Sequence, residues 1–118
     1  MTRALLVLSL AGACAKKAEP PPPQGAAVPA MSAAEVQRSR DACATYVTKV
    51  CACADKVPAV KHQCDLAKSL PEAVRLGLEV AASPDSKPAD VSGAQGSVRK
   101  AVEECIEETA KLPTLGCE

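Results

Sequence analysis

The 118-residue chain has no Phe and no Trp, and Tyr46 is its one aromatic side chain. A core without aromatics must be assembled from Ala, Val, Leu and Cys, each of which buries little area, so a small domain of this composition needs staples to be stable. The same absence argues against a substrate pocket, since such pockets draw heavily on aromatic side chains. With one histidine, His62, no Gly-rich phosphate loop and no nucleophile motif, the chain offers no catalytic constellation, and we expect no enzyme. Fourteen basic and fourteen acidic residues balance, which favours neither nucleic acid nor an acidic partner for the chain as a whole. No segment alternates polar and apolar residues with a period of two over a useful length, no repeat stands out, and strands are not expected.

What is present is a seven-cysteine inventory with an unusual first member. Arg3 precedes the apolar run Ala4–Ala13, Cys14 follows it, and Lys16–Lys17 come next. The run is far short of the roughly 20 residues needed to span a bilayer. A basic start, a short apolar stretch and small residues before the cut describe an export signal. Ala11-Gly12-Ala13-Cys14 resembles the lipobox of bacterial lipoproteins, with Ala11 where that family usually has Leu. The resemblance covers about the first fourteen residues and implies an address and an anchor, not an activity. It implies that Met1–Ala13 is a signal peptide, that the Cys14 thiol receives a diacylglyceryl group, and that the new amine is acylated, with palmitate typical of such chains. That covalent lipid is the only cofactor expected. At about 0.8 kcal/mol per buried methylene, two or three chains make release from a membrane very slow. Ala15 after the cysteine, in place of Asp, implies sorting to the outer membrane.

Cys14–Met31 is the lipidated cysteine and its tether. Pro20–Pro23 favour an extended conformation, and at about 3.1 Å per residue the segment lifts a domain roughly 40 Å from the lipid. Ser32–Glu118 is then one cysteine-rich helical domain.

Within it, Ser32-Ala33-Ala34-Glu35 forms a capping box. Val36, Cys43, Val50 and Val57 follow at spacings of seven, with Val47 and Ala54 beside them, which predicts a helix over Ala33–Asp55. After a turn at Lys56–Val57, Pro58 suits the first turn of a second helix carrying Val60, Cys64, Ala67 and Leu70. Ser69-Leu70-Pro71-Glu72 reads as a second cap, so this helix is expected to kink or break near Pro71 and continue through Val74, Leu78 and Ala81. Ser83–Ser92 reads as a loop. A last helix is expected from Ser97 to Lys111, its start weakened by Gly93 and Gly96 and its end set by Pro113, before a short tail over Thr114–Glu118. The fold class is all-α, a small disulfide-stapled bundle of three main helices.

Six cysteines remain once Cys14 is set aside: Cys43, Cys51, Cys53, Cys64, Cys105 and Cys117. An even count in a small exported domain predicts three disulfides among the fifteen pairings possible. Helical periodicity places Cys51 and Cys53 on opposite flanks of the first helix, reaching different partners. Antiparallel packing about Val57 brings Cys64 level with Cys51, or with Cys53 if the pairing slips. The third helix then offers Cys105 to Cys43, and Cys117 to whichever of Cys51 and Cys53 is free. The favoured set is Cys43–Cys105, Cys51–Cys64 and Cys53–Cys117.

Two sharper readings compete with this scaffold. Cys51, Cys53, His62 and Cys64 form the one cluster with the ligand types for zinc or copper, or for thiol exchange. Against metal, Cys51 and Cys53 diverge on a helix, and exported thiols oxidise. Against exchange, the spacing is Cys-x-Cys, late in a helix. Glu103, Glu104, Glu107 and Glu108 invite a calcium reading, but Arg99–Glu103, Lys100–Glu104 and Glu107–Lys111 are four apart, the pattern of a solvated, ion-paired surface. The expected role is therefore a membrane-anchored, non-enzymatic envelope module that meets protein or cell-wall material, with no resident metal. The alternative is a periplasmic metal or thiol-redox protein.

Overall fold

The computed structural model describes residues 27–118. The expected export signal, Cys14 and Pro20–Pro23 lie outside the described residues.

Three helical columns pack side by side. α1 is Ala33–Ala54, α4 is Pro88–Lys111, and the middle column is in two pieces, α2 (Lys61–Ala67) and α3 (Leu70–Ala82). A 3-10 turn, Pro58–Val60, leads into α2, and a second, Leu112–Leu115, follows α4. No strand occurs among the described residues. The chain is a small all-α bundle stapled by three disulfides.

α1 starts where its cap directs. Ser32 is extended, and its Oγ accepts from the Glu35 amide at 3.1 Å, satisfying one of the free donors of the first turn. The Glu35 carboxylate reaches across to α4 and accepts from Arg99 Nε at 2.7 Å. That contact, aided by the charge of Arg38 and by the Ser32 amide, holds the Glu35 carboxyl below the ordinary carboxylate range against the opposing effect of desolvation.

The inward face of α1 presents Cys43, Tyr46, Val50 and Cys53, which meet Val60, Cys64, Ala67, Val74, Leu78, Val98, Cys105 and Leu112 in one core. Tyr46 belongs to that core. Burial pushes its phenol up, and Glu108 and Glu104 add to the effect.

Two boundaries differ from the sequence expectation. The middle column breaks at Lys68–Ser69, but Ser69 is no N-cap. Its backbone is helical and its Oγ donates back to the Leu66 carbonyl at 3.0 Å, so the break is made within the turn and α3 starts with Leu70-Pro71. The predicted Ser83–Ser92 loop is shorter than expected, because α4 begins at Pro88. Proline suits this position, Lys87 ahead of it is extended, and Asp90 sits in the first turn. Gly93 and Gly96 face open space, so they lower helix propensity without disturbing the packed side, where α3 holds the helix. Tertiary contact outweighs local preference here.

α3 and α4 approach closely at Gly77. A Cβ built there would lie 2.6 Å from Val98 Cγ2, so only glycine fits opposite this buried valine. The packed unit also begins upstream of Ser32. Met31 rests against the core, and Gln95, 4% exposed in the first third of α4, donates from Nε2 to the Pro29 carbonyl at 2.8 Å. The chain before α1 thus lies against the N-terminal part of α4. Since α1 and α4 run in the same sense, this entry point and the α1–α2 turn occupy opposite poles of the bundle.

Candidate functional site

All six cysteines of the domain are bonded, and α1 holds one member of every pair. Cys43 joins Cys105 of α4, Cys51 joins Cys64 of α2, and Cys53 joins Cys117 beyond the last 3-10 turn, with Cα separations of 5.1, 4.7 and 5.4 Å. These are the separations that an unforced bridge requires. They are also the three pairs that helical periodicity favours. Cys43 faces the core centre, and Cys51 and Cys53 leave α1 on opposite flanks.

The route to Cys117 depends on local geometry that helical spacing does not describe. After α4, Leu112–Leu115 tightens into a 3-10 turn around Pro113, and Gly116 adopts φ 86°, the left-handed conformation that glycine reaches without penalty. The Gly116 amide then donates to the Pro113 carbonyl at 3.2 Å and the Cys117 amide to Leu112 at 3.1 Å, which folds the chain back onto α1. The expected tail over Thr114–Glu118 is therefore structured where it meets Cys53. Its signal was the Leu-Gly-Cys run after a proline, a C-terminal glycine stop.

The cluster Cys51, Cys53, His62 and Cys64 does not converge. Cys51 and Cys64 are bonded to each other, Cys53 is bonded to Cys117, and His62 is exposed at the start of α2. A soft metal or an exchange reaction needs thiolates, which these sulfurs supply only after reduction. Among the described residues, no three His, Cys, Asp or Glu side chains gather in a way that suits a metal ion.

The surface of α4 also differs in detail from the predicted ladder of four-apart pairs. Arg99 turns to Glu35 of α1, and Lys111 pairs with Glu108 at 2.6 Å, three residues away. Cross-helix reach wins for Arg99 because Glu35 already stands at the start of α1, level with it. On α3, Arg75 bridges Glu72 and Glu79, and on α2 Lys68 meets Asp65. Exposed pairs of this kind contribute little to stability.

Among the concave surfaces, two lie between α1 and the C-terminal half of α4. A shallow groove of about 580 Å³ between α1 and α4 is centred on Ile106, which is 52% exposed, beside Ala42 and Thr45. A more enclosed cleft of about 380 Å³ lies at the pole of the α1–α2 turn. Lys49, Lys56 and Ala52 form one wall, Leu112, Pro113 and Gly116 the other, and Cys53–Cys117 the floor. No helix among the described residues is long and apolar enough to cross a membrane. Comparison of the sequence with protein-family models and curated proteins, and of the fold with solved structures, finds no match.

Proposed function

We propose that this chain is a cell-envelope lipoprotein: exported, cut before Cys14, lipidated there, and held in the outer membrane. On this reading the packed helical domain through Glu118 is a non-enzymatic binding or structural module that meets a protein or cell-wall partner, and the chain from Cys14 to the Pro29 contact is its spacer. The observation that supports it most is the complete pairing of six cysteines in a domain with no aromatic core beyond Tyr46. Such a domain depends on its bridges, and bridges persist in oxidising compartments. An export signal ending in a lipobox-like Ala11-Gly12-Ala13-Cys14 supplies the route to that compartment.

The intact mass of protein extracted from membranes tests this reading in one measurement. The expected species lacks Met1–Ala13, carries acyl glyceride mass on Cys14, and is lighter by the six hydrogens lost in three bridges. A soluble, full-length species with free thiols would overturn the proposal.

A further inference from the structure

We infer that the open seam between α1 and α4, lined by no residue of α2 or α3, is the contact surface for a second copy of this chain, related by a two-fold axis parallel to the helices. The shape of the seam is self-complementary. Ile106 stands out exposed from α4, while Ala42 and Thr45 of α1 beside it are small. The Cys43–Cys105 bridge sets Ala42 and Ile106 at one height, because it joins their immediate neighbours. A two-fold axis along the helices keeps every height and lays α1 of each copy on α4 of the other. Each Ile106 then falls on the notch at Ala42 and Thr45 of the second copy.

Charge commits the seam to that occupant. Arg38 on the α1 bank and Glu103 and Glu107 on the α4 bank line the groove that continues from Ile106. Among the described residues none of the three is in an ion pair. Other exposed charges are also unpaired, but here opposite signs stand on opposite banks of one groove. Arg38 lies four residues before Ala42 and Glu103 three before Ile106, about 6 and 4.5 Å of helix, so the two share a height. A ligand of one sign would gain from one bank and lose at the other. A copy turned about the helix-parallel axis sets Arg38 of each chain against Glu103 of the other, whereas an axis across the helices brings the two acidic banks together. From Ala34 to Ala52 the seam runs about 27 Å, and two helices abreast are about 20 Å wide. Each copy thus covers roughly 500 Å², near the lower limit for a specific contact. Association is therefore weak in solution and gains when both copies share a membrane. The parallel axis brings both Pro29–Gln95 entry points to one pole, as two anchored chains require, a point that rests on the anchored reading.

The test is energy transfer between full chains bearing a donor or an acceptor dye on a C-terminal extension, mixed in vesicles of phosphatidylethanolamine and phosphatidylglycerol at falling protein density. Transfer above that of randomly placed chains is expected, and Ile106→Asp should lower the association constant about tenfold or more. Arg38→Glu and Glu103→Arg should each weaken self-association about fivefold. The two variants mixed should pair within about twofold of wild type, because each supplies the sign that the other lacks. All three side chains are exposed, and an unchanged unfolding temperature confirms that each variant is folded. Transfer no greater than random would overturn the inference and leave the seam to a different protein. So would indifference to Ile106→Asp, or a mixture as weak as its two components. Flotation of the vesicles reads the anchor separately. Chains that do not float are titrated in free solution with the same variants, so failure of the anchor and failure of the contact are distinguishable.

Discussion

The two poles of the bundle are held by different means. At the α1–α2 turn, two disulfides lie within a few residues of each other on α1, and the last 3-10 turn is bonded directly to Cys53. At the opposite pole, where the chain enters, there is no covalent link. There the Gln95–Pro29 hydrogen bond, the Ser32 cap, the Glu35–Arg99 pair and the close α3–α4 contact at Gly77 do the holding. Cys43–Cys105 lies between the two poles. The lesson is that one small fold uses unfolded-state restriction at one end and native-state complementarity at the other. The two ends should therefore answer differently to reductant, packing change and acid.

The largest expected effect tests the stapled pole. Replacing Cys53 and Cys117 together with Ala opens, while Cys43–Cys105 stays closed, a loop of about 22 residues, and the chain-entropy estimate for that length is about 3.4 kcal/mol. Replacing Cys51 and Cys64, separated by 13 residues, should cost about 3 kcal/mol. Urea unfolding measures both. In hydrogen exchange, the first change should deprotect Leu112–Leu115 while leaving the α3–α4 contact unaltered. Deprotection that starts at Gly77 instead would break the contrast between the poles.

Next comes packing at the other pole. Gly77→Ala drives a methyl into Val98, a stiff side chain with no room to give, and should cost about 2 kcal/mol after the gain in helix propensity. Gly93→Ala, made on the open side of α4, should instead stabilise by about 0.5–1 kcal/mol. Thermal unfolding of the two variants should move in opposite directions, and a shared sign would refute the close approach.

A smaller effect is expected from Gln95→Ala, which removes the donor to the Pro29 carbonyl. We expect a loss of about 1 kcal/mol, with faster proteolysis between residues 27 and 32 and no change in the region around Cys117. Cleavage rates unchanged from wild type would show that the entry segment is held by Met31 alone.

The smallest is a pH effect. Because Glu35 has a folded pKa below its unfolded one, its contribution is present above the ordinary carboxylate range and is lost as pH falls through the lowered value. Arg99→Gln should flatten that part of the acid unfolding curve. A curve identical to wild type would mean that the pair, which is exposed, adds nothing measurable.

Much of the bundle was legible in the sequence because its signals are periodic. The spacing of Val36, Cys43 and Val50 and the cap at Ser32 locate α1, and the angular offset of Cys51 from Cys53 sends them to different partners. What escaped has no periodicity to read. Gly93 and Gly96 look like breakers until α3 is seen to hold α4 from the other side, which extends that helix back to Pro88. Gln95 looks like a surface amide, and only the entry segment laid over it reveals a buried polar contact. The cleft was equally hidden, since Lys49 and Lys56 become neighbours of Pro113 and Gly116 only once the left-handed turn returns the chain to α1.

Because Cys43, Cys51 and Cys53 all belong to α1, this helix acts as a covalent spine from which the other columns hang. A protease that nicked the exposed Pro84–Asp85 bend would sever the backbone and still release no fragment, since two bridges cross the cut. Digested and intact protein would migrate together on a gel until a reductant was added. A broken main chain need not then mean a lost domain.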